Sequence, residues 1–330
     1  MSNKVEIIAE FCQNHNGDFD ILARMVEAAA KSGASHGKIQ AIFADEVAFR
    51  PQFEEGLVQN GVTLSIKRPY LAEYDRLKKL EISYEQAAKF VQLCRDVGIK
   101  PMTTCFTRVQ VEPLAQAGFE EIKVASYDCS AFPMLRELKA KFSRIVVSTG
   151  ATYDDEVRHT TDILKGHDFA LLHCVTLYPT PLDRVHMARM GWLKTLAPMV
   201  GYSDHSAVAQ DPQMVATKVA MHLGAAIVER HFTILPAGET RDGPVSVTPD
   251  MLADLVRFAG LDAGVQEDEL NKTNSNWRVA IGHGDRELSD QELLNRDYYR
   301  GRFASRRPES RNGQRMIFNW EDVPLPGSES

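Results

Sequence analysis

The chain has 330 residues, 44% hydrophobic and 25% charged, the ordinary composition of a soluble globular protein with room for a large core. A net charge of -7 and an isoelectric point near 5.8 give no basic face for phosphate neutralisation, and no stretch approaches the roughly 20 apolar residues of a membrane span, so neither nucleic acid nor membrane is expected as a partner. Met1 to Glu10 lacks the basic, apolar and cleavage regions of a secretory leader, and the five cysteines, Cys12, Cys94, Cys105, Cys129 and Cys174, form no CxxC pair, which points to reduced thiols in the cytoplasm.

Short β-branched runs alternate with amphipathic stretches almost to residue 265, the pattern of a parallel sheet covered by helices. In chain order the strands are expected at Val5–Phe11, Gly37–Phe43, Pro101–Phe106, Glu121–Ser126, Arg144–Thr149, Phe169–Val175, Met199–His205 and Ala226–Phe232. Helical patterns lie between them at Ile21–Ser32, Tyr84–Val97, Asp154–Leu164, Pro212–Leu223 and Pro249–Phe258. Eight such units predict an α/β protein of the (β/α)8 TIM-barrel type. Ala44 to Ser83 is far longer than the usual connection of about two to six residues, and its Arg50 and Arg68 are candidates to reach a site. Beyond Leu261 the sequence turns polar and then arginine-rich, from Arg300 to Arg315. The expected division is a barrel over 1–265, then a linker and a small β-rich appendage over 266–330.

In this fold reactive groups gather at the carboxyl ends of the strands. Those ends supply Glu10 with Asn14-His15-Asn16-Gly17, Lys38 and Gln40, Thr103 and Thr104, Lys123 and Ser126, Ser148 and Thr149, His173, Asp204 and His205, and Glu229 and His231. A solitary histidine such as His173 is as readily a satisfied core residue as a functional one. Lys38 and Lys123, with the hydroxyls of Thr104, Ser126 and Ser148, make a basket for a phosphate and a carboxylate, because buried ammonium groups need anions. His205 and His231 end consecutive strands near Asp204, Glu229 and Asp242, a donor set suited to a divalent metal such as manganese, zinc or iron.

At these residues the sequence resembles the sialic acid synthase family, which makes nonulosonic acids from phosphoenolpyruvate. The match runs from Ile7 to Pro249 through Ile8-Ala9-Glu10, Asn14-His15-Asn16-Gly17-Asp18, Gly37-Lys38-Ile39-Gln40, Ile122-Lys123-Val124-Ala125-Ser126 and Val147-Ser148-Thr149-Gly150. It continues through Leu172-His173-Cys174, Tyr178-Pro179-Thr180-Pro181, Gly201-Tyr202-Ser203-Asp204-His205 and Glu229-Arg230-His231-Phe232-Thr233. The resemblance implies that Lys38, Thr104, Lys123, Ser126 and Ser148 hold phosphoenolpyruvate, that His205 and His231 hold Mn2+, and that Glu10 works beside the reacting enol. It further implies that Gln40, Thr176, Tyr178 and Asp242 lie on the substrate side, with an aldose as second substrate and a homodimer as the assembly.

Three departures qualify that implication. Thr176 stands where relatives carry a sugar-binding asparagine, and the segment between His205 and Glu229 is longer than usual. The family ends in an antifreeze-like domain whose Arg-Pro-Gly motif reaches the partner's barrel; here Arg300–Trp320 resembles its start, but the motif becomes Leu325-Pro326-Gly327 and the sequence ends. A different acceptor is therefore expected, or closure by the Ala44–Ser83 loop. The alternatives are a 3-deoxy-octulosonate or heptulosonate type of synthase, and a non-catalytic barrel that retains ligand binding. A metal-dependent hydrolase leaves both lysines unexplained.

Overall fold

The computed structural model describes residues 5–307 and 316–325. In chain order its elements begin with β1 (Glu6–Cys12), α1 (Phe19–Lys31), β2 (His36–Gln40), a hairpin of β3 (Leu57–Gln59) and β4 (Val62–Ser65), α2 (Tyr70–Lys78) and α3 (Tyr84–Asp96). There follow β5 (Lys100–Cys105), α4 (Val111–Gln116), β6 (Glu121–Val124), α5 (Phe132–Lys141), β7 (Arg144–Ser148), α6 (Asp154–Leu164), β8 (Asp168–Cys174) and α7 (Arg189–Leu193). The chain then forms β9 (Met199–Asp204), α8 (Val215–His222), β10 (Ile227–His231), α9 (Pro249–Ala259), α10 (Ala263–Thr273), α11 (Asp290–Tyr299), β11 (Ser305–Arg306) and β12 (Met316–Ile317). Eight parallel strands close in sequence order, with β10 pairing back onto β1, so the expected TIM barrel is present. No helix among the described residues is long and apolar enough to cross a membrane.

Strand alternation explains how the barrel places its polar groups. On β1 the inward positions run Glu6, Ile8, Glu10, while Ile7, Ala9 and Phe11 point outward into the shell beneath the helices. On β5 the inward series is Lys100, Met102, Thr104, and on β7 it is Arg144, Val146, Ser148. The floor is ionic: Arg144 lies 2.8 Å from Glu6 and 3.3 Å from Glu121, and Glu121 also meets Lys100 at 2.6 Å and His36 at 3.1 Å. Above it sits an apolar plug of Ile8, Met102, Val146, Ala170, Leu172 and Ile227. Two residues further along each strand, the same face opens into the barrel mouth.

The helices follow from their patterns and caps. Asp18 accepts from the Asp20 and Ile21 amides to start α1, which buries Leu22, Met25, Val26 and Ala29 against the barrel. Ser83 and Gln86 form a reciprocal capping box at the start of α3.

Two regions depart from the sequence reading. The expected division at 265 falls inside α10, and Leu270, Trp277 and Ala280 belong to the main core, so the segment after 265 is barrel shell rather than linker. The appendage, expected to be β-rich, is built on helix α11, and β11 and β12 have two residues each. Phe303 packs with Ile42, Ala44, Val47 and Leu77, joining the appendage to the long loop. Of the arginine-rich stretch and the Leu325-Pro326-Gly327 motif, residues 308–315 and 326–327 lie outside the described residues.

Candidate active site

The barrel mouth opens into a cavity of about 760 Å³ lined by Glu10, Lys38, Gln40, Thr104, Lys123, Ser126, Ser148, Tyr178, His205, His231 and Asp242. Of the residues expected to act in catalysis or to bind substrate or metal at the strand ends and in the loops after them, Thr176 alone is not on its wall. Its side chain is buried, and its carbonyl accepts from Asn295 Nδ2 at 2.8 Å. Asn295 itself lines the cavity, so an asparagine reaches this wall from α11 rather than from the loop after β8.

Deep in the mouth, two lysines face two glutamates. Lys38 Nζ is in direct contact with Glu10 Oε2 and 4.0 Å from Glu229; Lys123 Nζ lies 3.9 Å from Glu229 and donates to Ser148 Oγ at 2.6 Å. All four residues are buried. Burial pulls the Lys38 ammonium down to about 7, against the charge of Glu229. Burial also pushes Glu229 upward, but Lys123 and Lys38 overcome it and hold that carboxyl well below the usual range. The lysines therefore carry their own counter-charges, so their burial does not by itself require an anionic ligand. Glu229 was only a polar strand end in the sequence; period-two alternation from Ile227 would have placed it on the inner face.

His205 and His231 stand side by side with ring centres 5.4 Å apart, and the Tyr178 ring lies 4.3 Å from that of His205. Burial, with His231 adding to it, pulls His205 down to about 3, and burial lowers His231 as well, so both imidazoles are neutral near pH 7. His231 Nδ1 is buried without a hydrogen-bond partner among the described residues. Cys12, His231 and Asp242 bring three potential ligand atoms within 4.8 Å of one another, the single such group of three or more among the described residues. Neutral nitrogen, an orphaned ring atom and a nearby carboxylate fit a divalent cation. Cys12 carries no motif in the sequence that marks it as a site residue, and the register shift after Glu10 takes it out of simple alternation.

Other strand-end residues are scaffolding. His173 bonds the Val185 carbonyl through Nε2 at 2.6 Å, a satisfied core histidine. Asp204 pairs with Arg230 at 2.7 Å and accepts from Thr217 Oγ1 at 2.5 Å, so it braces the end of β9. Asn14 Nδ2 donates to Phe232 O and Ser246 Oγ, each at 2.9 Å, and ties the loop after β1 to the end of β10.

The outer wall comes from the long loop and the appendage. It carries Arg68 and Arg76 from the loop region, Arg241, and Tyr299 and Arg302 from the C-terminal segment. Arg76 donates twice to Glu73 at 3.0 Å, and Arg302 contacts the same carboxylate. Arg302 is buried and its Nε has no partner among the described residues. Arg50, expected as a possible site charge, instead donates to the Asp297, Tyr298 and Arg300 carbonyls and satisfies the end of α11.

Residues 25–260 match the model of the NeuB family. The chain is 29% identical to the N,N'-diacetyllegionaminic acid synthase of Legionella pneumophila, over 91% of this chain and 80% of that protein. It is 27% identical to a pseudaminic acid synthase of Campylobacter jejuni, over 97% of this chain and 86% of that one. The crystal structure of an N-acetylneuraminic acid synthetase from Leptospira borgpetersenii in complex with citrate superposes with a TM-score of 0.65 at 25% identity, covering 90% of this chain and 91% of that chain.

Proposed function

The chain belongs to the NeuB family, and from that premise we propose that it condenses phosphoenolpyruvate with a sugar aldehyde to give a 2-keto-3-deoxy sugar acid and phosphate. The observation that carries this reading is the pairing of Lys38 and Lys123 with Glu10 and Glu229, directly beside two neutral imidazoles in one barrel mouth. Lys123, Lys38 and the hydroxyls of Thr104, Ser126 and Ser148 bind the phosphate and carboxylate of phosphoenolpyruvate through charge-assisted hydrogen bonds. That anion raises the proton affinity of Glu10, which suits Glu10 to hold the proton of the water that adds at the enol carbon before phosphate leaves by carbon–oxygen cleavage. His205 and His231 hold a divalent cation, manganese by family resemblance, which when bound polarises the acceptor aldehyde.

Gln40, Tyr178 and Asp242 orient the aldose, an N-acylated amino sugar or a related aldose. Thr176 supports that wall through its bond to Asn295. The barrel and the C-terminal segment act as one catalytic unit, in a soluble cytoplasmic enzyme that assembles as a homodimer.

The test is phosphate release from phosphoenolpyruvate with manganese and, in turn, N-acetylmannosamine, its 6-phosphate, 6-deoxy diacetamido hexoses and plain pentoses or hexoses. Release with at least one aldose, abolished by chelation, is expected. Silence across the panel overturns the synthase reading, and full activity after exhaustive removal of metal overturns the role given to the histidines.

A further inference from the structure

We propose that Cys12 is a protein ligand of the divalent cation, so that thiolate, imidazole and carboxylate from Cys12, His231 and Asp242 form one site. The proposal rests on the synthase reading only for the location of the cation.

Three independent observations carry it. First, the sulfur is placed: Cys12 Sγ donates to Asp242 Oδ2 at 2.9 Å, 230 positions apart in sequence, and the ligand atoms of Cys12, His231 and Asp242 all lie within 4.8 Å of one another. Second, the backbone is bent to place it. Cys12 has a φ of 46°, in the left-handed region that a residue with a Cβ seldom occupies, and the pairing of β1 with β2 shifts register between Glu10 and Cys12. Third, His231 Nδ1 is buried and without a partner among the described residues, whereas His173, also buried at a strand end, bonds a carbonyl.

The chemistry balances without any redox partner. The Cys12 sulfur gives its proton, now shared with Asp242, to solvent, and a metal–sulfur bond takes its place. One thiolate and one carboxylate neutralise the two charges of the cation, and the imidazole of His205 stands next to His231 to complete the set. A thiolate changes which cation is preferred. Two imidazoles with oxygen donors accept manganese, but soft sulfur favours zinc, iron(II) or cobalt(II).

The experiment uses the full chain, freed of metal by a chelator and titrated with cobalt(II) under anaerobic conditions without substrates. Wild type should show an intense near-ultraviolet sulfur-to-cobalt absorption and release more protons per cobalt than Cys12→Ser. The absorption should vanish in Cys12→Ser and Cys12→Ala and persist in Cys174→Ser, the control for the other cavity thiol, which lies 3.7 Å from His205 Nδ1. Zinc affinity should fall in Cys12→Ala by at least the roughly 10- to 100-fold that loss of a mere supporting partner costs. Identical spectra and affinities in wild type and the Cys12 variants overturn the proposal, as does an absorption that follows Cys174. Should the variants fail to fold, cobalt must protect Cys12 of wild type from alkylation, read by mass spectrometry; equal labelling overturns the assignment. Because no substrate is present, loss of the sulfur band leaves the synthase reading intact, and a failure of phosphate release leaves the metal assignment intact.

Discussion

Lys123 donates to Ser148 Oγ at 2.6 Å and to the Val124 carbonyl at 3.2 Å, so two of its three ammonium hydrogens are already fixed by the barrel wall. The remaining one is oriented in advance, which is how a flexible side chain becomes a specific anion contact. Lys123→Ala should raise KM for phosphoenolpyruvate by roughly ten- to hundredfold, equivalent to on the order of 1.5–3 kcal/mol for a charged hydrogen bond, and leave KM for the aldose nearly unchanged. Initial rates with each substrate varied in turn check this. A raised aldose KM with an unchanged phosphoenolpyruvate KM would reverse the assignment of the two subsites.

The loop that begins at Ala44 is fastened at its root by Glu46, whose Oε2 accepts from Thr107 Oγ1 at 2.8 Å and Gln110 Nε2 at 2.5 Å. Burial raises the Glu46 carboxyl to about 7, against those hydrogen bonds. The folded state therefore holds this proton more tightly than the unfolded chain. Its stabilising contribution is fully present below about pH 4.5 and is lost as pH rises through 7. Glu46→Gln, which keeps an acceptor oxygen, should flatten that fall; thermal melts of both proteins from pH 4.5 to 8 measure the difference. Parallel melting curves at every pH would show that Glu46 does not carry it. Further along, Arg68 lines the cavity from an exposed position and has no ion pair among the described residues, so its removal leaves no buried charge behind. Arg68→Ala should raise the acceptor KM by about tenfold, the lower end for a charge-assisted contact, while KM for phosphoenolpyruvate and the melting temperature stay in place. The effect should be greatest for acceptors bearing a phosphate, which compares the panel of aldoses directly.

At the scale of the whole molecule, the barrel mouth is finished by the chain's own C-terminal segment. Ala48 N donates to Arg302 O and Ala304 N to Glu46 O, both at 2.9 Å, while Arg296 reaches Ala151 O and Glu156 Oε1, each at 2.6 Å. Within the chain these bonds hold α11 and the segment that follows it against the mouth. Coexpression of Lys123→Ala with Arg302→Ala checks the consequence. If one chain completes its own cavity, mixed oligomers should recover no activity beyond the sum of the two variants. Recovery toward a quarter or more of wild type would mean that a partner supplies Arg302, because each hybrid would then contain an intact composite site.

The barrel was legible in the sequence because its signals are local. Period-two runs, turn residues and amphipathic helices each announce themselves within about ten residues, and the fold rule that active groups sit at strand ends then selected Glu10, Lys38, Lys123, His205 and His231. Alternation alone also contained Glu229, two positions beyond Ile227, but not Cys12, which lies past the register shift after Glu10. What the tertiary structure decided is whatever depends on residues distant in sequence. That Glu10 and Glu229 answer the lysines, that Cys12 meets Asp242, and that Asn295 takes a place expected of Thr176 depend on pairs separated by up to 230 positions. Arg50 and Arg68 show the limit most plainly, since both are arginines of the same loop. One caps a helix and the other faces the cavity, because the direction of a long side chain is set by the surface packed against it and not by its neighbours in the chain.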